Sequence, residues 1–199
     1  MPNIDEQAKQ WQQDMAKRVG IAVRDLRQDR GLKAAQLAER TKELGYPIHR
    51  VAITKIETNA RAGKLDLAEV ITLALALGVP PVQLLYPDLP AGPVEVWPEA
   101  TATSIEALQW FSGEIAAFRI KDDETTRHST IAYVQGARRY SRLRETLRLA
   151  RSALLEAQLT PDHSPMTKEQ ATQAVADAQR ELAKLKEDFQ AQGRTVHDG

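Results

Sequence analysis

The chain has no cysteine and only four histidines, His49, His128, His163 and His197, in 199 residues. Without cysteine there is neither a disulfide framework nor a thiolate metal site, and the histidines lie too far apart to share a ligand set, so no metal and no cofactor is expected. No cluster of histidine, serine and carboxylate has catalytic spacing, which argues against an enzyme. A hydrophobic run approaching the roughly 20 apolar residues that cross a bilayer is also missing. The N-terminus carries Asp5 and Glu6 rather than a basic cluster ahead of an apolar stretch, so the chain reads as soluble and cytoplasmic, with no membrane partner.

Net charge is absent too, since 27 Lys and Arg balance 27 Asp and Glu. The balance is uneven along the chain: residues 1–90 carry +2, 91–124 carry −5, 125–160 carry +5 and 161–199 carry −2. A nucleic-acid partner would therefore have to be met by a local patch and not by bulk charge.

What is present is helical periodicity, in a chain whose 42% of hydrophobic residues can supply a core. From Asp14 to Arg30, Val19, Ala22, Val23 and Leu26 share one face, and Gly31 ends the run. Lys33 to Leu44 repeats the pattern through Ala34, Leu37, Ala38 and Thr41 until Gly45-Tyr46-Pro47 breaks it. A third helix is expected from His49 to about Asn59, with Val51 or Ala52, Ile53 and Ile56 inward. A fourth is expected from Asp66 to Leu77, stopped by Gly78, and a short fifth after Pro80-Pro81. Nothing alternates like a sheet.

Residues 87–98, PDLPAGPVEVWP, hold four prolines and a glycine and mark a junction. Thr103 and Glu106 have capping-box spacing and open a linking helix with Leu108, Phe111, Ile115 and Phe118 on one face. Tyr133, Gly136, Tyr140, Leu143, Leu147, Ala150, Leu154 and Ala157 then follow a coiled-coil spacing, as do Ala171, Val175, Ala178, Leu182, Leu185 and Phe189 after the break at residues 160–165. The expected fold is all-α: a five-helix domain over 1–90, a linker and connecting helix over 91–124, and a helical hairpin over 125–199. The hairpin buries little alone, so a homodimer through these C-terminal helices is the simplest arrangement.

The informative segment is Leu37-Ala38, a turn, then Ile48-His49-Arg50-Val51-Ala52-Ile53-Thr54-Lys55-Ile56-Glu57. Two helices joined by a turn leave His49, Arg50, Thr54, Lys55 and Thr58 outward on the second. A helix carrying long basic and hydroxyl side chains fits the major groove and its donor and acceptor patterns. Here the sequence resembles the xenobiotic-response-element family of lambda-repressor-like helix-turn-helix domains, on the ending Ile53-Thr54-Lys55-Ile56-Glu57 and, over about residues 14–87, on Arg24-x-x-Arg27, Gly31-Leu32 and Gly78-Val79-Pro80. The resemblance implies base contacts by Arg50, Val51 and Lys55, with Thr54 a fourth, a phosphate contact at His49, and backbone contacts by Arg61 and Lys64. It also implies a structural Glu57 that braces the domain against an arginine such as Arg61 or Arg24. Two departures stand out: the connection before Ile48 is longer than the family's short turn, which should lengthen the second helix by about one turn, and Asn59 replaces a glycine.

The arginines of residues 127–151 (Arg127, Arg138, Arg139, Arg142, Arg144, Arg148, Arg151) have two readings. They could bind phosphates, or they could flank the helical seam and pair with Asp177, Glu181, Glu187 and Asp188; the second is the more ordinary. Tyr133, Tyr140, Trp110 and Phe111 read as core or interface and not as base-stacking platforms. Together these features point to a sequence-specific regulator that binds a double-stranded DNA operator, acting as a repressor by occlusion or through RNA polymerase contact. A phage or mobile-element immunity repressor is one form of this. The alternative is a protein-interaction adaptor that uses the hairpin and binds DNA only weakly.

Overall fold

Val19, Ala22 and Val23 lie on one side of a helix, and burying that side organises the N-terminal half. The computed structural model describes residues 4–116 and 124–195, in two compact units, Met1–Ser112 and Gly113–Gly199. The first contains α1 (Ile4–Asp29), α2 (Ala34–Glu43), α3 (Arg50–Glu57), α4 (Leu67–Leu77), α5 (Pro81–Leu85), β1 (Pro93–Trp97), β2 (Ala100–Thr103) and α6 (Ser104–Phe111). Its core joins the α1 face to Leu37 of α2, Ile53 and Ile56 of α3, Val70, Leu73, Ala74 and Leu77 of α4 and Leu84 of α5. The helix boundaries follow from local chemistry. The Asp66 carboxylate accepts from the backbone N–H groups of Ala68 and Glu69 to start α4, Gly78 ends it in the left-handed conformation, and Pro81 opens α5.

Gly20 sets the crossing of α1 and α3: a Cβ there would overlap the backbone carbonyl of Ile56, so the two helices approach at a distance only glycine permits. The helix starts well before Asp14. Its added turns are anchored by Gln7, which donates to the Glu99 carboxylate at 2.8 Å, and by the Trp11 indole, which donates to the Glu95 carbonyl at 3.4 Å.

Those anchors belong to an element the sequence did not suggest. Residues expected to be irregular form an antiparallel hairpin pairing Pro93 with Thr103, Val94 with Ala102, Glu95 with Thr101 and Trp97 with Ala100, with a bulge after Glu95. Val94 and Val96 point inward from alternate positions of β1, and Pro93 sits at the strand's first residue, where its missing N–H does least harm. Among the described residues the fold is thus helical apart from this small two-stranded sheet. Thr103 and Glu106 form the expected capping box on α6. That helix ends at Phe111, because Gly113 takes a φ of 71°. Ile115 therefore lies beyond it, and Phe118 falls outside the described residues.

The second unit is a hairpin of α7 (Glu124–Leu159) and α8 (Lys168–Ala191), the latter opened by a Thr167–Gln170 capping box. The seam sets small residues of α7 against small and large ones of α8: Ala150 and Ala157 are buried on α7, and Ala171, Ala178, Leu182, Leu185 and Phe189 on α8. These positions belong to the two series read from the sequence. Gly136 leaves room for Phe189, whose ring a Cβ would meet at 3.0 Å, and Tyr133 packs edge-on against the same ring at 5.9 Å between centroids.

Candidate nucleic-acid interface

α3 is eight residues long, about 12 Å by the α-helical rise and comparable to the width of a B-form major groove. At about 100° per residue, Arg50, Val51, Thr54, Lys55 and Thr58 fall within an arc of about 140°. Ile53 and Ile56 lie on the opposite side, at 0% and 3% exposure. The five outward residues are all exposed, Val51 at 57%, and Arg50 and Lys55 have no ion-pair partner among the described residues. Ala52 is half-buried, so it is Ala52 and not Val51 that turns toward the core.

The two threonines show a particular chemical face. Thr54 Oγ1 donates to the Arg50 carbonyl at 3.1 Å and Thr58 Oγ1 donates to the Thr54 carbonyl at 2.8 Å. With the hydroxyl proton turned back into the helix, each side chain offers its remaining oxygen lone pairs and its methyl outward. His49 is the residue preceding the first turn, at φ −64° and ψ 148°, but its side chain caps nothing. The leading N–H groups of α3 are therefore not satisfied by that side chain and face outward beside Arg50.

Behind the exposed face the helix is clamped by charge. Arg27 Nε donates to Glu57 Oε1 at 2.6 Å and Arg27 Nη2 to Oε2 at 2.8 Å, while Arg27 Nη1 donates to the Leu32 carbonyl at 2.7 Å. The two side chains are 12% and 7% exposed, and the hydrogen bond to Glu57 holds the Arg27 guanidinium above its ordinary pKa. Glu57 is structural, as the resemblance implied, but its partner is neither of the arginines suggested. Arg24 pairs with Asp25 at 3.0 Å on the surface, and Arg61 pairs with Glu69 at 2.5 Å. The helical period places Arg27 seven residues after Gly20, on the side of α1 that faces α3. Arg24, four residues after Gly20, shares that side by spacing, so the sequence alone does not choose between the two.

The loop after α3 is shaped by left-handed residues: Asn59 has a φ of 52°, the conformation its glycine-like position requires, and its side-chain amide donates to the Gln13 carbonyl at 3.2 Å. Lys64 is exposed beyond it without an ion-pair partner among the described residues, whereas Arg61 is committed to Glu69. The structure thus brings Arg50, Val51, Thr54, Lys55 and Thr58 to one helix face, with His49 exposed at its N-terminal end. It sets Arg61 and Lys64 in the following loop and ties Arg61 down.

A helix-turn-helix family model matches residues 23–84, from the middle of α1 to α5. Residues 23–84 are a helix-turn-helix domain. This agrees with the xenobiotic-response-element resemblance carried by Ile53-Thr54-Lys55-Ile56-Glu57, and such a domain belongs to DNA-binding transcription regulators. The match covers less than a third of the chain and leaves the α7–α8 hairpin without a family. No curated protein and no solved structure matches.

On the hairpin, one of the cross-helix pairings expected for the arginines is Arg139 to Glu181, at 3.3 Å. Arg148 pairs with Glu145 of its own helix, and Asp177 with Arg180 of α8. The Arg127 side chain lies outside the described residues. No helix among the described residues is long and apolar enough to cross a membrane.

Proposed function

We propose that the chain is a sequence-specific double-stranded DNA-binding repressor that lays α3 in the major groove and reads base edges with Arg50, Val51, Thr54 and Lys55. The observation that carries this is the division on α3 itself: its buried side is fixed by Ile53, Ile56 and the Glu57–Arg27 pair, and its exposed side keeps its cations uncommitted. The Arg50 fork matches guanine O6 and N7, Lys55 can donate to the same acceptors, and the methyl groups of Val51 and Thr54 suit the thymine methyl. His49 and Lys64 contact phosphates, Thr58 closes the far end of the face, and Arg61 contributes only what its pairing with Glu69 leaves over.

The active species in this reading is a homodimer joined through α7 and α8, so that two copies of α3 meet successive major grooves about 34 Å apart. Leu149, Leu155 and Leu159 of α7 support this, being 54%, 57% and 71% exposed outside the hairpin's own seam. Occupying the operator blocks transcription; contact with RNA polymerase is the variant of this reading in which binding activates, and immunity of a phage or mobile element is one biological setting.

The test is selection of bound sequences from a random duplex pool at fixed salt, with wild type and with the Arg50→Ala/Lys55→Ala variant. Enrichment of a palindrome by wild type, lost in the variant, is the expected result. An asymmetric site would replace the dimer with a monomer that also uses its C-terminal helices. If nothing is enriched the regulator reading falls, and the adaptor reading, in which the hairpin recruits a protein, takes its place.

A further inference from the structure

The connection between α2 and α3 is longer than a helix-turn-helix needs, and the added residues are built, not slack. Gly45, at a φ of 86°, donates its N–H to the Lys42 carbonyl at 2.9 Å, and the Tyr46 N–H reaches the Thr41 carbonyl at 3.2 Å, closing the end of α2. The Thr41 hydroxyl, on a residue with no exposed surface, accepts the Ile48 N–H at 2.9 Å, and the Ile48 side chain is buried at 3% exposure. Pro47 fixes the backbone between these anchors. The turn is therefore pinned at both ends, yet it holds Tyr46 at 44% exposure and Leu44 at 46%. Neither exposure serves the core, which Ile48 and Thr41 already complete.

Position gives the exposure a use. Recognition helices contact base edges with their N-terminal residues. Tyr46 comes three residues before His49 and four before Arg50, on the chain that delivers that N-terminus. A phenol there can donate to a phosphate oxygen, as tyrosines at protein–DNA interfaces do. Because the turn is already ordered, the contact costs little conformational entropy.

We infer that Tyr46 is a DNA-contacting residue, its hydroxyl donating to the phosphate that flanks the bases read by Arg50. The inference rests on the DNA-reading role of α3 proposed above. Tyr46 positions the helix along the groove and carries no base preference, so it sets affinity and register but not the operator sequence.

The experiment measures binding of the full chain to the selected duplex for wild type, Tyr46→Phe and Arg50→Ala/Lys55→Ala. It is repeated on duplexes in which single phosphates are replaced by neutral methylphosphonates. Tyr46→Phe keeps the ring and is expected to melt as wild type, to bind about tenfold more weakly, as befits loss of a hydrogen bond to a charged group, and to select the same consensus. One methylphosphonate position should weaken wild type but leave Tyr46→Phe unchanged. The inference is overturned if Tyr46→Phe binds as wild type, if its consensus shifts, or if no phosphate shows that coupling. If Arg50→Ala/Lys55→Ala also binds as wild type, the reading of α3 fails, and this inference with it. Loss in that variant with no loss in Tyr46→Phe refutes the tyrosine contact alone.

Discussion

Replacing Arg27 with alanine removes a bidentate partner from a nearly buried carboxylate and withdraws the donor that satisfies the Leu32 carbonyl. With the two side chains 12% and 7% exposed, solvent screens little of the pair. Breaking a buried ion pair from one side costs about 3–5 kcal/mol, because the remaining charge is left uncompensated. The residual exposure places Arg27→Ala near the lower end, about 3 kcal/mol, which is a large share of the roughly 5–15 kcal/mol that holds a domain together. For a unit of this size that corresponds to a fall in Tm of about 12–20 °C. All three tryptophans, Trp11, Trp97 and Trp110, lie in the N-terminal unit. Urea unfolding of the full chain followed by tryptophan fluorescence therefore reports on this unit. The double replacement Arg27→Met/Glu57→Leu removes both charges and should recover most of the loss. If Arg27→Ala costs less than about 1 kcal/mol, the pair behaves as a surface bridge and the clamp on α3 is not electrostatic.

Gly20→Ala drives a methyl into the Ile56 carbonyl; we expect a loss of about 1–3 kcal/mol by the same fluorescence assay, together with weaker DNA binding as α3 is pushed away from α1. Phe189→Ala empties the space between Gly136 and Tyr133 and should cost the hairpin about 3–5 kcal/mol, read by far-UV circular dichroism while the tryptophan signal stays native. The Glu106 carboxyl is held below the ordinary glutamate range by the Thr103 backbone N–H and hydroxyl. Its capping contribution is therefore complete above the unfolded value and is lost as pH falls through the lower folded one, so an acid titration should change Trp110 fluorescence in wild type and much less in Glu106→Gln.

The parts of this fold that were legible in the sequence are those decided by neighbours along the chain. Ile53 and Ile56 fix the inward side of α3 by spacing alone, Gly45 and Pro47 mark the break before it, and Thr103 with Glu106 announces the start of α6. The β-hairpin was hidden because its first strand lies within the four-proline stretch of residues 87–98, and its strands of five and four residues gain their stability from pairing across the turn and from Trp11 on a distant helix. The partner of Glu57 was obscured for a similar reason. Arg24, Arg27 and Arg61 are all plausible by type, and the choice among them depends on the rotation of α1, which Gly20 sets by its contact with Ile56.

The use made of the arginines bears on how a chain of zero net charge can still meet a polyanion. In the N-terminal unit Arg18 donates to the Leu85 carbonyl, Arg40 to the Ala76 carbonyl, Arg27 to Glu57 and Arg61 to Glu69. Four arginines are thus spent on the framework. Arg50, Lys55 and Lys64 have no ion-pair partner among the described residues and lie on α3 or in the loop after it, whereas other exposed cations of this unit without one, Lys9, Lys17, Arg30 and Lys33, lie on α1 or in the turn that follows it. With α3 as the DNA-reading helix, binding strength should then follow the cations on and beside it and not the total count. Each phosphate neutralised contributes about −0.9 to the slope of log affinity against log salt. One or two such contacts, at Lys64 and His49, give a slope of about −1 to −2 per protomer. A measured slope beyond about −5 would mean that the arginines of α7, Arg142 and Arg151 among them, also reach the duplex, and the division of labour between the two units would have to be redrawn.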